Sequence, residues 1–98
     1  MKIYCIDIDG TLCTKGHEDY KFSEPFHDRI NEVNKLYESG NKIIIFTARG
    51  SFTGIDWKDF TINQLDNWGL KYHEIIFGKP HADIFIDDRC EDPFGWFD

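Results

Sequence analysis

The chain has 98 residues, of which 41% are hydrophobic and 16% aromatic, and its formal net charge at pH 7 is −7. This length allows one hydrophobic core, so we predict a single domain over residues 1–98 and exclude a large second substrate domain. The acidic charge argues against binding to a nucleic-acid backbone, which requires a basic surface.

Cysteine spacing and the N-terminal segment indicate in which cellular compartment the protein is expected. The three cysteines, at positions 5, 13 and 90, match neither a disulfide framework nor a zinc ribbon. Asp7 and Asp9 stand where a signal peptide needs an uninterrupted apolar stretch, and the longest aliphatic run, residues 43–46, is too short to span a membrane. We therefore expect a cytoplasmic protein that does not contact a membrane.

The first half of the chain predicts a strand, a loop and a helix. Residues 2–8 are almost continuously apolar, which indicates a central strand covered on both faces. Residues 12–24 are mostly polar and have no period, which indicates a loop or small flap over the end of that strand. A helix then begins at residues 23–25 and ends at Gly40.

The second half repeats this alternation. Residues 42–46 predict a second strand, and a second helix is capped by Asp56 and closed by Gly69. Two short strands follow, at residues 74–77 and 83–86. Because strands and helices alternate, we predict an α/β fold of the three-layer, Rossmann-like kind, with a mainly parallel four-stranded sheet and right-handed crossovers.

Polar side chains follow each predicted strand. They are Asp7 and Asp9, then Thr47, then Lys79, and finally Asp87 with Asp88. Ligands of open α/β sheets bind beyond the carboxyl ends of the strands. We therefore expect these four segments to converge on one crevice.

Asp7 and Asp9 suit divided chemical roles. Strand periodicity points two residues at this spacing the same way, and Gly10 allows the chain to turn after them. One carboxylate can act as a nucleophile while its neighbour holds a proton for a leaving group. Taken alone, the motif fits an ordinary solvated acidic turn better than a catalytic site.

Asp87 and Asp88 point to a cation. Adjacent carboxylates repel each other unless a proton or metal ion lies between them. Mg²⁺ takes one or two protein carboxylates and fills its remaining positions with water and phosphate oxygens, so Asp7 and one of this pair could supply the ligands. Lys79, together with Arg49 or Arg89, would offset phosphate charge, although a lysine at such a position can equally be a surface residue.

These residues resemble a known family. The segment Asp-Ile-Asp-Gly-Thr-Leu at residues 7–12, with Thr47, Lys79 in Gly-Lys-Pro and the Asp87-Asp88 pair, resembles the four ordered motifs of the haloacid dehalogenase-like (HAD) superfamily. Thr-Ala-Arg-Gly at residues 47–50 is similar to its capsule-biosynthesis phosphatase-like branch. The resemblance implies a HAD-like core and a Mg²⁺-dependent phosphatase, a phosphoric monoester hydrolase that works through an aspartyl-phosphate.

The resemblance also implies residue roles. Asp7 would be the nucleophile, and Asp9 would protonate the leaving oxygen and then activate water. An acid at the position of Asp9 argues against dehalogenation. The phosphate-binding residues would be Gly10, Thr11, Thr47, Ala48, Arg49 and Lys79. The Mg²⁺ ligands would be Asp7, the backbone carbonyl of Asp9, and Asp88 or Asp87, with Asp88 favoured.

The chain leaves no room for a cap domain, so we expect an open site. The expected substrate is a sugar phosphate or related small phosphorylated metabolite, and a homo-oligomer is one way to supply a lid.

Two alternatives to a phosphatase of small metabolites remain. One is a nucleotide or nucleic-acid end phosphatase, which the acidic charge disfavours. The other is a non-enzymatic phospho-accepting or phosphate-binding module like a response regulator.

Overall fold

Three strands and two α-helices alternate along the chain in a computed structural model, which describes residues 1–15, 19–50, 56–80 and 82–89. The elements, in chain order, are β1 (Ile3–Ile6), α1 (His27–Glu38), β2 (Lys42–Thr47), α2 (Lys58–Asn67) and β3 (Glu74–Phe77). A 3-10 turn, Tyr20–Phe22, lies before α1 in the predicted flap, of which residues 16–18 fall outside the described residues.

The strands form one parallel sheet in the order β1-β2-β3. Ile6 pairs with Ile45 between the first two strands, and Ile45 pairs with Ile75 between the second and third. Parallel neighbours need a crossover connection, and each helix supplies one. The α/β class with a parallel sheet is therefore confirmed.

The prediction of a fourth strand at residues 83–86 is wrong. Residues 82–89 are all exposed and pair with no strand of the sheet. The apolar residues of this segment, Ile84, Phe85 and Ile86, are 58%, 45% and 44% exposed. An Ile-Phe-Ile run has high β propensity, but a strand also requires a pairing partner, which this segment lacks among the described residues.

Both described helices pack on one face of the sheet. Ile43 and Ile45 alternate to the same side of β2, where they share a buried cluster with Ile30 of α1 and Leu65 of α2. Two right-handed crossovers that advance in the same direction along a sheet place their helices on the same face. The described residues thus form two layers rather than the predicted three.

The first strand is less covered than predicted. Its burial alternates, with Ile3 63% exposed and Cys5 also exposed, so within the described residues β1 is an edge strand with one open face. Both α-helices also begin later than predicted, at His27 and at Lys58. Asp56 nevertheless supports α2, since its carboxylate accepts a hydrogen bond from the backbone N–H of Lys58 at 3.0 Å.

Neither helix in the described part of the chain is long and apolar enough to cross a membrane.

Candidate active site

A crevice of about 500 Å³ opens at the carboxyl ends of the strands. Of the residues predicted for the site, it is lined by Asp7, Asp9, Ala48, Arg49 and Lys79. Asp7 follows β1, Ala48 directly follows β2, and Lys79 lies two residues after β3. The parallel sheet therefore brings residues from three separate segments to one place.

A tight turn follows β1 and holds the acidic motif. Gly10 has φ +84°, in the left-handed region where a side chain is strained. The amide of Gly10 donates to the carbonyl of Cys13 at 2.9 Å, and the amide of Thr11 donates to the carbonyl of Ile8 at 3.1 Å. These two amides, which we expected to bind phosphate, are thus used within the turn.

Asp7 has a cation and a hydroxyl as neighbours. Lys79 Nζ lies 3.4 Å from Asp7 Oδ1, and the hydroxyl of Thr11 donates to Oδ2 at 3.4 Å. The amide of Lys79 also donates to the carbonyl of Thr47 at 3.1 Å, which fastens the segment after β3 to the end of β2. The side chain of Asp7 remains 32% exposed, so its carboxylate is accessible from the crevice.

Asp9 is bound by Arg49. Nε of Arg49 donates to Oδ2 of Asp9 at 3.0 Å, and Nη2 donates to Oδ1 at 2.9 Å. The arginine side chain is fully buried, whereas that of Asp9 is 23% exposed. Two parallel N–H···O bonds from a planar guanidinium fix both the distance and the plane of the carboxylate. Arg49 therefore orients Asp9 toward the crevice.

The remaining donor group of Arg49 is held by α2. Its Nη1 donates to the hydroxyl of Thr61 at 3.1 Å and to Oε1 of Gln64 at 2.7 Å. Gln64 in turn donates through Nε2 to the carbonyl of Tyr20 at 2.8 Å. The ring of Tyr20 lies over the guanidinium, with 4.3 Å between the ring centroid and Cζ. Residues of α2 and of the flap thus both contact the side chain of Arg49.

Cys13 also contacts the carboxylate of Asp9. Its Sγ donates to Oδ1 of Asp9 at 3.5 Å, and the residue is completely buried. Burial, together with the nearby charge of Asp9, raises the pKa of the Cys13 thiol to about 11. The thiol is therefore protonated at neutral pH and acts as a weak donor.

Thr47 lies beneath the crevice rather than in its lining. It is 1% exposed, and its hydroxyl oxygen accepts a hydrogen bond from the amide of Arg49 at 3.1 Å. This contact shapes the turn after β2 and helps to direct the Arg49 side chain back toward α2. A direct contact between Thr47 and phosphate stays a prediction.

Asp87 and Asp88 do not line the crevice. Both are fully exposed, and a hydrogen bond between the two carboxyl groups raises the pKa of Asp88 and lowers that of Asp87. Within the described residues, no three His, Cys, Asp or Glu side chains are grouped so that they could hold a metal ion. The chemistry of the pair suits a hard cation such as Mg²⁺, but the structure does not assemble it with Asp7.

Comparison with known proteins places the chain in a family. No family model and no curated protein matches it. The chain is similar to a structural-genomics target from Vibrio cholerae whose crystal structure is known, with 31% sequence identity and a TM-score of 0.84 over 98% of this chain and 87% of that one. The two chains belong to one family. The name of the Vibrio cholerae structure states no activity, so the likeness establishes shared fold and ancestry.

Several residues of the site were missed by the sequence reasoning. Lys15, Tyr20, Asp83 and Phe85 also line the crevice, and Phe85 lies against Lys79 with 4.5 Å between the ring centroid and Nζ. The two partners of Arg49 on α2 were missed as well. A signal for them existed, because Thr61 and Gln64 are polar residues at buried positions of an otherwise amphipathic helix.

Proposed function

We propose that this protein is a Mg²⁺-dependent phosphatase of the HAD-like kind, which hydrolyses a phosphomonoester through an aspartyl-phosphate on Asp7. The observation that carries the proposal is the position of Asp7 in the crevice, with Lys79 Nζ 3.4 Å from its Oδ1. Enzymes use carboxylates as nucleophiles toward phosphate, and an ammonium group beside the nucleophile can offset the charge of the phosphoryl oxygens.

The proposed reaction has two steps. In the first, a carboxylate oxygen of Asp7 attacks phosphorus, the bond from phosphorus to the ester oxygen breaks, and Asp9 gives its proton to the departing oxygen. In the second, Asp9 takes a proton from water, whose oxygen attacks the phosphorus of the aspartyl-phosphate, and the bond from phosphorus to the Asp7 oxygen breaks. Inorganic phosphate leaves, and the carboxylate of Asp7 and the protonated Asp9 are restored.

Phosphate binding centres on Lys79 in this proposal. Among the other proposed phosphate-binding residues, Ala48 and Arg49 line the crevice, whereas Gly10 and Thr11 lie in the turn and Thr47 lies beneath it. The backbone of Ala48 is the best placed of these, because Ala48 directly follows β2 and its methyl side chain is small.

Mg²⁺ would be held by Asp7, the backbone carbonyl of Asp9, and Asp88 or Asp87. All of these donors are oxygen atoms, the ligand type that Mg²⁺ prefers, although Asp87 and Asp88 lie outside the crevice that Asp7 and Asp9 line. When bound, the ion would offset the negative charge of the phosphoryl oxygens during attack.

The proposed substrate is a small phosphorylated metabolite such as a sugar phosphate. The crevice volume of about 500 Å³ suits a ligand of that size, and the phenol of Tyr20 and the carboxylate of Asp83 offer hydrogen bonds to hydroxyl groups. The acidic net charge of −7 favours a small substrate over a polynucleotide.

The test is a hydrolysis screen over sugar phosphates, nucleotides and phosphorylated DNA ends, with Mg²⁺ or with EDTA. We expect Mg²⁺-dependent release of inorganic phosphate from small esters by the wild type and by Asp59→Asn, an exposed acid on α2 that serves as the control. Asp7→Asn is expected to release none while retaining its circular dichroism spectrum. Turnover by Asp7→Asn, or labelling that stops at one phosphate per chain, would overturn the proposal.

A further inference from the structure

Arg49 differs from the other cations of the crevice in how completely the protein engages it. Its side chain is fully buried, and all three guanidinium nitrogens donate to protein acceptors. Lys79, by contrast, is 17% exposed at a distance of 3.4 Å from Asp7. A cation that binds substrate phosphate must present donors to the crevice, whereas Arg49 directs four of its five N–H groups to Asp9 and α2.

The contacts of Arg49 are arranged to fix one carboxylate. Its Nε and Nη2 form a fork that holds both oxygens of Asp9, at 3.0 and 2.9 Å. Each carboxylate oxygen has two lone pairs, so a fork of this kind sets the plane of the group and leaves some of its acceptor capacity unused. Since Cys13 Sγ also donates to Oδ1, Oδ2 is the oxygen with capacity left among the described contacts.

The opposite edge of Arg49 is anchored by groups that do not touch Asp9. Thr61 and Gln64 accept from Nη1 at 3.1 and 2.7 Å, and the Gln64 amide binds the carbonyl of Tyr20 at 2.8 Å. The ring of Tyr20 covers the guanidinium face at 4.3 Å. Such supports keep a catalytic group within the narrow range of productive orientations.

We propose that Arg49 is a positioning residue, which Thr61, Gln64 and Tyr20 lock in place so that it aims the carboxyl group of Asp9 at the leaving-group oxygen. This inference rests on the proposed function, because it assigns a role to Asp9 as the acid of that reaction. It replaces phosphate binding as the main task of Arg49. It also makes Gln64 of α2 a determinant of activity, although Gln64 does not line the crevice.

The role predicts a dependence on the leaving group. Phenyl phosphate and p-nitrophenyl phosphate have almost the same shape, but the phenolate released from phenyl phosphate is much more basic and needs a proton from the acid. The p-nitrophenolate ion leaves with little help. A misaimed Asp9 therefore slows the first reaction more than the second, whereas a lost phosphate contact slows both equally.

The experiment measures kcat/KM, which reports the steps up to leaving-group departure, for both esters. The variants are Arg49→Lys, Gln64→Leu and Thr61→Val, with Asn63→Ala, an exposed position of α2, as the control. For Arg49→Lys we expect the ratio of p-nitrophenyl to phenyl phosphate to rise about tenfold, within the usual contribution of general acid catalysis. Gln64→Leu is expected to raise it by a smaller factor and Asn63→Ala to leave it unchanged.

Equal losses with both esters, in Arg49→Lys and in Gln64→Leu, would overturn the positioning role and return Arg49 to phosphate binding or to stability alone. Should Arg49→Lys fail to fold, Gln64→Leu and Thr61→Val carry the comparison. The proposed function fails separately, since wild-type activity that survives in Asp7→Asn would refute the nucleophile whatever the ratio. Loss of activity in Asp7→Asn combined with an unchanged ratio in the Arg49 and Gln64 variants refutes only the inference about Arg49.

Discussion

Arg49 and Asp9, forty positions apart in sequence, form a two-bond ion pair in which the arginine is fully buried. The pair joins the turn after β1 to the turn after β2. A buried charge that loses its partner is costly, because neither water nor a counter-ion replaces the lost contacts.

We predict that Asp9→Ala lowers the free energy of unfolding by about 2–3 kcal/mol. Breaking a buried ion pair costs more than this when both groups are inaccessible, and the 23% exposure of Asp9 reduces the cost because water can reach the site. Urea denaturation followed by tryptophan fluorescence measures the change.

The matched control is the double variant Asp9→Ala with Arg49→Met. Removing the charge of Arg49 as well should recover part of the lost stability, because no uncompensated guanidinium then remains in the interior. Equal unfolding midpoints for wild type and Asp9→Ala would contradict a buried pair.

Gly10 and Gly40 offer a matched pair of substitutions. Both have positive φ, +84° and +92°, so alanine at either position is expected to cost about 1–2 kcal/mol of stability through backbone strain. They differ in surroundings. A Cβ at Gly10 would lie 2.8 Å from Cδ of Lys15, whereas nothing lies within 4 Å at Gly40.

We therefore predict that Gly10→Ala loses both stability and phosphatase activity, since Gly10 directly follows Asp9, and that Gly40→Ala loses stability alone. Thermal melting and the hydrolysis of phenyl phosphate, whose leaving group needs a proton from Asp9, separate the two effects. An active Gly10→Ala enzyme with wild-type kcat would show that the turn does not control Asp9.

Cys13 and Cys5 should react very differently with iodoacetamide. Burial raises the pKa of the Cys13 thiol to about 11, so about one thiol in a thousand is ionised at pH 8, and the thiolate is the reactive form. Cys5 is exposed. We predict rapid alkylation of Cys5 and slow alkylation of Cys13, measured by mass spectrometry of the separate peptides.

Because the pKa is raised, the reaction of Cys13 should accelerate as pH rises toward 11 and not reach a plateau near pH 9. Urea is expected to make both cysteines react at similar rates by exposing Cys13. Similar rates without urea would contradict the burial of Cys13 and its contact with Asp9.

The order of the elements could be predicted from apolar periodicity because it reflects which residues must be buried. The runs at β2 and β3 and the stop at Gly40 coincide with the structure within one or two residues. The same reasoning failed for residues 83–86, because an apolar run identifies a segment that can form a strand but not the neighbour it must pair with. Phe85 lies against Lys79 at 4.5 Å instead.

The candidate site was predictable to the extent that it follows from topology. Residues at the carboxyl ends of parallel strands lie at one edge of the sheet, which places Asp7, Ala48 and Lys79 together. The positions of Thr47 and of the Asp87-Asp88 pair relative to the crevice could not be predicted from strand order alone. Thr47 is buried beneath the crevice, and Asp87 with Asp88 stays outside it, since the strand that would have carried the pair there does not form.

By itself, the sequence determined the parallel α/β order and the acidic motif that follows the first strand, because burial patterns and strand ends are local properties of the chain. The tertiary structure decided what the long side chains do. Arg49 could have faced a phosphate or the protein, and its direction was set by acceptors 12 and 15 residues further along, on the buried side of α2. Hydrogen bonds between distant segments depend on packing, which has no period in the sequence.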